Sequence, residues 1–406
     1  MNLLAIVDGM ADRKCKELGN KTPLQAAQKP ALDFFSFNGQ VWNVQVLGKK
    51  IPPQSDQGVL SLLGVNPWKA KSSRGAMEAF GMNIAKKNKT YFRCNFASFE
   101  NGKILDRRVK RSLSSKEARS LAKELNRRIG LPVQFRFFPS IEHRGILELD
   151  FSKKAQVSNT DPAYERFQNI GIANETFSNF WKPCAPLDKA SASELLAHLV
   201  NDFSLQAFSV LETAKANVKR KKKGKIPANG LLLRDGGMLS PLPKKHGKWV
   251  CVSEMPLEQG IGKSLGMKLF PFPFQGGLPK KVLQNECRHA LRAMRKFKGK
   301  NVSLYIHFKP LDIVSHDGNA LLKKELLETL DKQFFEPLLE ILSKKDVLAV
   351  SPDHCTPCSL KAHSSDAIPF LAFGPKWKAG RKKYFERSSA LEPVSGWKAF
   401  SKAFAR

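Results

Sequence analysis

The apolar run Val347-Leu348-Ala349-Val350 has the length and β-branching of a buried strand, and the chain leaves it carrying Asp353 and His354 together. Open α/β sheets keep their sites at the carboxyl ends of their strands, so this stretch limits both the fold and where chemistry can happen in it. His363 follows within the same polar segment, Asp353-His354-Cys355-Thr356-Pro357-Cys358-Ser359-Leu360-Lys361-Ala362-His363-Ser364. One carboxylate and two imidazoles are donors that suit Mn or Zn, although a complete coordination shell needs groups from elsewhere in the chain. Taken by itself the segment is equally a polar loop with stray histidines.

The same pattern recurs. Leu3 to Val7 reads as a short buried strand ending at Asp8-Gly9, where the glycine permits a sharp turn that can aim the carboxylate. Val302 to Phe308 is strand-like and precedes Asp312 and His316, which are four residues apart and able to face one ion from a single helical turn. In Pro52-Pro53-Gln54-Ser55-Asp56 the prolines and the apolar run that follows mark a helix start, with Ser55 at or near the N-cap. Such a serine is most often only a cap. It can also serve as a nucleophile, because a helix N-terminus stabilises a phosphoryl group on its hydroxyl. A parallel sheet would gather Asp8, Asp312 with His316, and Asp353 with His354 and His363 on one edge, enough for two metal ions with Ser55 beside them.

From about Ser72 the texture changes to that of an inserted α+β domain. Tyr91 to Ser98 and Val133 to Phe137 are strand-like, and Ser115 to Ile129 has helical spacing. Asp106-Arg107-Arg108 with Arg111, and Glu142-His143-Arg144, lie near probable strand ends; the arginine fork suits carboxylate and phosphate, although surface arginines are commoner than anion sites. Ser191 to Ala216 is expected to be helical, and the basic run Lys219 to Lys223 is expected to be a solvated linker. Gly230 to Gly237 reads as another strand of the first lobe, and Leu321 to Leu342 as one long amphipathic helix leading into the strand at Val347. The expected organisation is residues 1–71 and 223–406 as a metal-binding core and 72–222 as the insertion. Gly260 to Ser264 resembles part of a phosphate loop, but Leu257 breaks the frame.

The 406-residue chain is long enough for two lobes, and no apolar run approaches the ~18 residues of a membrane span. The first residues end their apolar run in an acid and lack a basic flank, so they read as a strand rather than a signal peptide. Seven scattered cysteines argue for reduced thiols, and the cytoplasm is the expected location. Cys355 and Cys358 form a CxxC, but a redox pair needs a thioredoxin-like context and a structural zinc site a second CxxC. The net charge of +32 is compatible with polyanion binding, yet no nucleic-acid-binding motif accompanies it.

In order along the chain, Asp8-Gly9, Lys21-Thr22-Pro23-Leu24, Ser55-Asp56, Leu60 to Gly64, Phe92 to Ala97, Asp106-Arg107-Arg108, His143-Arg144, Asp161-Pro162, Leu231 to Arg234, His307 to Pro310, His316-Asp317, Asp353-His354 and His363-Ser364 form a combination specific to one family. The sequence resembles the archaeal-type cofactor-independent phosphoglycerate mutases of the alkaline phosphatase superfamily. The resemblance implies an alkaline-phosphatase-like α/β sandwich with a mostly parallel sheet, and a two-metal site taking Mn, Mg, Co or Zn without bisphosphoglycerate. It implies Ser55 as the phosphoryl acceptor, Asp312, His316 and His363 on one ion, and Asp8, Asp353, His354 and the Ser55 oxygen on the other. Arg93, Asp106, Arg107, Arg108, His143 and Arg144 are implied in substrate binding or proton transfer, in an insertion that closes over phosphoglycerate and excludes water.

Departures from the family pattern are Gln54, where glycine is usual, Val59, where a polar residue is common, Asn159 in place of an acid, Asp235-Gly236-Gly237, and Val109-Lys110 within an arginine-rich turn. They bear on substrate fit. Two other readings therefore stay open: a metal-dependent phosphatase or phosphotransferase on another small phosphate ester, and a non-catalytic polyanion-binding protein. The sequence leaves the metal, the oligomeric state and the reason for the charge undetermined.

Overall fold

Every residue from Leu3 to Val7 is buried, as a strand with parallel neighbours on both edges requires. In the computed structural model, which describes residues 1–70, 73–168, 170–174, 177–244, 246–274, 276–377, 379–380, 384 and 393–404, Asn2–Val7 lies between Ser303–Phe308 and Val347–Ser351. The full sheet has eight strands in the order Lys268–Leu269, Trp249–Val252, Ser303–Phe308, Asn2–Val7, Val347–Ser351, Ile368–Phe373, Gln40–Gln45, Val394–Ser395. Ile368–Phe373 runs antiparallel to both neighbours, and the remaining pairings are parallel. Ala5 stands opposite Ile306 on one side and Val350 on the other. The three central strands therefore end nearly level, and Asp8, Lys309 and Asp353 leave the sheet along one edge.

Leu283 and Met294 of the helix Pro279–Phe297 and Leu326 and Leu330 of the helix Ala320–Leu330 share a core with Leu3, Ala5, Val7 and Val350. Each large aliphatic side chain so buried contributes roughly 1.5–3 kcal/mol, which makes this sheet a rigid platform for the groups at its edge. The stretch expected as one helix from Leu321 to Leu342 is instead Ala320–Leu330, a π-helical turn over Asp331–Phe335, and Glu336–Ile341. Asp331, at the start of the wide turn, accepts the amide hydrogens of Ala31 and Leu32 at 3.1 and 2.8 Å and so caps the helix Pro30–Phe37.

These elements belong to one of two compact units, Met1–Ala70 with Pro243–Arg406; the other is Lys71–Leu242. In the second unit the long strand Thr90–Glu100 pairs antiparallel with Lys103–Asp106, Arg144–Leu149 and Gly230–Met238, and Phe135–Pro139 lies beyond Arg144–Leu149. Leu121 and Leu125 of the helix Ser115–Arg128 and Phe203 of the helix Ser191–Glu212 pack with Phe92, Phe96 and Phe137. The expected break between residues 71 and 72 falls on two residues outside the described ones. At the other end, Gly230–Met238 is paired from Gly230 opposite Ala97 to Met238 opposite Thr90, so this strand belongs to the second unit and the break lies at Leu242 rather than Lys222.

The basic run is also not a loop. Lys215–Lys222 is helical, and Arg220 is fully buried, donating to the Ile226 and Ser112 carbonyls and pairing with Glu117 at 3.1 Å. One guanidinium with four acceptors, the Ser112 hydroxyl among them, ties a stretch that looks like a solvated linker to the core, while Lys219 and Lys221 to Lys223 stay exposed. His198 stands on the exposed face of its helix. Among the described residues no helix is long and apolar enough to cross a membrane.

Candidate active site

Gly9 has φ +62°, and a Cβ there would lie 2.8 Å from Thr356 Oγ1 and 2.9 Å from Asp312 Cα. Only glycine fits that turn, which brings the Asp8 strand end against the helix Pro310–His316, which carries Asp312, and the loop carrying Asp353. Asp353 Oδ1 accepts amide hydrogens from Gly9 and His354, each at 3.1 Å, so its carboxylate is held from two directions. The helix Ser55–Leu62 is capped by Gln54, whose side chain and that of Gln57 reciprocally take up backbone N–H groups. Gln54, a departure from the family pattern, thus supplies the cap and leaves Ser55 as the first helical residue. A Cβ at Gly58 would come 2.3 Å from the Asp353 carbonyl oxygen, so glycine lets this helix start pack directly on the Asp353 loop. Ser55 Oγ lies 3.3 Å from His354 Nε2.

Two groups of donors form around this hydroxyl, Asp312 with His354 and His363, and Asp8 with Asp353 and His354; within each, the donor atoms lie within 4.8 Å of one another. His316 joins the first, with Nε2 3.4 Å from Asp312 Oδ1. All seven expected ligands, Asp8, Ser55, Asp312, His316, Asp353, His354 and His363, are therefore brought together, with His354 between the two groups. Backbone carbonyls fix two of the rings: His363 Nδ1 donates to Pro53 O at 2.8 Å and His316 Nδ1 to Lys361 O at 2.7 Å, which turns each Nε2 toward Asp312. Thr356 Oγ1, 2.9 Å from His354 Nδ1, does the same for the third ring.

The site is buried and acid-rich. Burial works against ionisation of Asp8 and Asp312, but the Lys309 ammonium beside them wins and holds both carboxyls below the usual range. Asp353 goes the other way: burial, reinforced by the Asp8 carboxylate, pushes it well up. Burial and the neighbouring His363 keep His354 well below the ordinary imidazole range, leaving it neutral. Lys309 bonds to Asp8 and, at 2.8 Å, to Asp312, and these carboxylates raise its pKa against the effect of burial. Lys309 was not among the expected site residues. Its place in the motif His307 to Pro310, directly after the strand Ser303–Phe308, is the signal that pointed to it.

A second buried pair, equally silent in the sequence, supports the loops. Lys323 pairs with Asp12 at 2.8 Å and donates to the carbonyls of Ala11 and Thr356, while Asp12 accepts the Cys358 amide at 3.1 Å. This fastens the chain after the first strand to the loop carrying His354. Cys355 and Cys358 are buried thiols, with no disulfide between them.

The six residues expected to bind substrate lie in the second unit and divide in two. Arg93 is paired with Glu78, which Arg74 also reaches at 3.2 Å, and His143 is held well below its ordinary pKa by burial and then by Arg144, Arg108, Arg111 and Arg93. Arg93, Arg108, His143 and Arg144 thus share one basic environment. Arg107 instead places Nη2 2.6 Å from both oxygens of buried Asp161 and stacks on Tyr164 and Phe177, while Asp106 accepts the backbone amides of Arg108 and Lys110 at 2.8 Å. Those contacts shape the turn. Two departures from the family pattern also meet here: Asn159 Oδ1 accepts the Asp235 amide at 2.8 Å.

Comparison with known proteins bears on both units. A family model for 2,3-bisphosphoglycerate-independent phosphoglycerate mutase matches residues 37–217, and one for the metalloenzyme superfamily matches 248–398. The chain is 34% identical to the 2,3-bisphosphoglycerate-independent phosphoglycerate mutase of Aeropyrum pernix over 91% of its length and 89% of that protein's. It is 32% identical to the enzyme of the same name from Pyrococcus furiosus, over 96% and 92%. Among solved structures, a Pyrococcus horikoshii protein superposes with a TM-score of 0.76 at 24% identity, covering 99% of this chain and 96% of that one. The cofactor-independent phosphoglycerate mutase of Thermoplasma acidophilum gives 0.56 at 23%, covering 99% and 98%. At those identities the structural matches speak for the fold.

Proposed function

Because this chain belongs to the 2,3-bisphosphoglycerate-independent phosphoglycerate mutases, we propose that it interconverts 3-phosphoglycerate and 2-phosphoglycerate by way of a phosphoserine at Ser55. The observation that carries this reading is the placement of Ser55 Oγ, at a helix start, 3.3 Å from His354 Nε2 among converging carboxylates and imidazoles.

The cluster fits divalent cations. Its donors are oxygen and nitrogen, one lysine faces three carboxylates, and buried Asp8 Oδ1 and Asp353 Oδ2 meet no hydrogen-bond donor among the described residues. We assign Asp312, His316 and His363 to one ion, and Asp8, Asp353, His354 and Ser55 Oγ to the other, with Mn, Mg, Co or Zn as the candidates. When bound, such ions lower the pKa of a hydroxyl they touch and neutralise phosphoryl oxygens.

The residues of the chain supply the rest. Ser55 Oγ attacks phosphorus: the Oγ–P bond forms, the bond from phosphorus to the C3 oxygen breaks, and the proton lost by serine ends on the departing oxygen. In the return step the C2 hydroxyl of glycerate attacks phosphoserine, and its proton returns to Ser55. The N-terminus of Ser55–Leu62 favours the added negative charge. Neutral His354, its Nδ1 side fixed by Thr356, keeps Nε2 facing the hydroxyl. We assign Arg93, Arg108, His143 and Arg144 to holding the anionic groups of the substrate, with Asp106 and Arg107 maintaining the turn that carries them. Thiols outside any disulfide suit the reducing cytoplasm, where we place the reaction.

A coupled assay of 3-phosphoglycerate conversion, after chelation and resupply of Mn, Mg, Co and Zn singly, tests the proposal. Loss on chelation, recovery with at least one ion and indifference to added bisphosphoglycerate are expected. A strict need for bisphosphoglycerate, or release of glycerate and phosphate in place of 2-phosphoglycerate, would overturn it.

A further inference from the structure

The opposite edge of the main sheet carries a feature to which the proposed reaction gives no work. Four neighbouring parallel strands begin there, at Trp249, Ser303, Asn2 and Val347, and these residues line a cavity of about 800 Å³. Asn2 and Asp8 stand roughly 20 Å apart at the two ends of one extended strand, so the cavity is separate from the acid cluster. Lys248, Lys300 and Lys376 also line it, all three exposed, and no carboxylate is among the described residues that do. Lys248 and Lys300 form no ion pair among the described residues. Beside the lysines stand Trp249 and Phe404, their ring centroids 5.3 Å apart and edge to face. Trp249 is held further by His246 and Phe400, at 5.7 and 5.6 Å, and Lys376 reaches the Lys402 carbonyl at 3.3 Å near the end of the helix Gly396–Phe404.

Three ammonium groups around one hollow repel one another, and an anion whose charge is spread over several oxygens relieves that repulsion. Lysine serves phosphate as a point charge and asks for no fixed fork geometry, which suits a chain of phosphoryl groups lying across separate lysines. The aromatic wall offers a flat ligand ring apolar surface, and because its rings already pack on one another little ordering is left to be done on binding. The volume is that of an ordinary small-molecule site. We infer that this cavity binds a nucleotide, with the phosphates on Lys248, Lys300 and Lys376 and the base against Trp249 and Phe404.

Calorimetric titration of the full chain with ATP in excess magnesium tests this. The native protein is expected to bind ATP, and the double variant Lys248→Glu, Lys300→Glu to bind it more weakly by roughly tenfold or more, with thermal unfolding unchanged because both side chains are exposed. Lys219→Glu with Lys222→Glu makes the same change in net charge in the second unit and is expected to leave ATP binding as it was. Tripolyphosphate, which lacks a base, is expected to bind less tightly than ATP. Failure of the native protein to bind ATP, or equal binding in the Lys248, Lys300 variant, would overturn the site; the latter result would place ATP elsewhere, the acid cluster being intact in that variant. An equal loss in the Lys219, Lys222 variant would reduce the binding to the overall charge and overturn the site as well. Tripolyphosphate binding as tightly as ATP would overturn the assignment to a nucleotide. None of these outcomes bears on Ser55 or its ligands.

Discussion

The two units each bury a cluster of charge, and the clusters are of opposite sign. In the first, Asp8, Asp312 and Asp353 gather around the ammonium of Lys309. In the second, Arg74, Arg93, Arg144 and Arg234 act on the carboxylate of Glu78, which they hold at about 2 against the cost of its burial, and Asp235 pairs with Arg234 at 3.9 Å. A buried surplus of one sign is expensive unless a ligand of the other sign completes it. The proposed reaction accordingly gives the two clusters different jobs, cation binding to the acidic one and anion binding to the basic one.

The comparison breaks most visibly if the acid cluster is not a cation site. Asp312→Asn removes a carboxylate shared by Lys309, His316 and His363. It is expected to lower mutase turnover by roughly a thousandfold and to abolish one manganese-binding event in calorimetry; unchanged binding would remove Asp312 from the ligand set. On the basic side, Arg108→Ala should raise KM for phosphoglycerate by roughly tenfold with little change in folding, and steady-state kinetics check it. Unchanged KM would withdraw Arg108.

Glu78 sharpens the contrast through pH. Its folded pKa lies below its unfolded value, so its contribution to stability is fully present above the unfolded value near 4.5 and is lost as pH falls through about 2. That contribution is on the order of 3 kcal/mol. Urea unfolding followed from pH 7 to about pH 2 should show this loss, and Glu78→Gln should be destabilised at pH 7 with a flatter acid limb. Equal acid sensitivity in the variant would mean that other carboxyls set it.

The smallest effect isolates backbone from charge. Val109, Lys110 and Arg111 have φ of 53°, 49° and 51°, a left-handed run without a glycine. Lys110→Gly should relieve strain of about 1 kcal/mol and raise the melting temperature by a few degrees, read by calorimetry. A lower melting temperature would show that the turn is not strained at that residue.

The acid cluster was legible in the sequence because its signals are local. An apolar, β-branched run followed by an acid marks a strand end, and the parallel sheet does the rest for Asp8 and Asp353. Lys309 was not legible as their counter-ion, since nothing next to Phe308 says which carboxylates a lysine will reach. The strand Gly230–Met238 misled for the same reason. It looks like the core strands in composition, while its pairing with Thr90–Glu100 is fixed by partners far away in the chain. Arg220 shows how a basic run conceals a buried residue: the acceptors at Ser112, Glu117 and Ile226 come from other segments. Gln54 is a milder case, a departure that reads as loss of a glycine and proves to be a helix cap.

The account depends above all on Ser55 carrying the phosphoryl group. Incubation of the manganese-loaded enzyme with 3-phosphoglycerate labelled in its phosphate, followed by acid quench, digestion and mass spectrometry, reads that directly. Label on the peptide containing Ser55, and its absence in Ser55→Ala, is the predicted result. Full mutase turnover with no labelled peptide, or with label retained in Ser55→Ala, would contradict it.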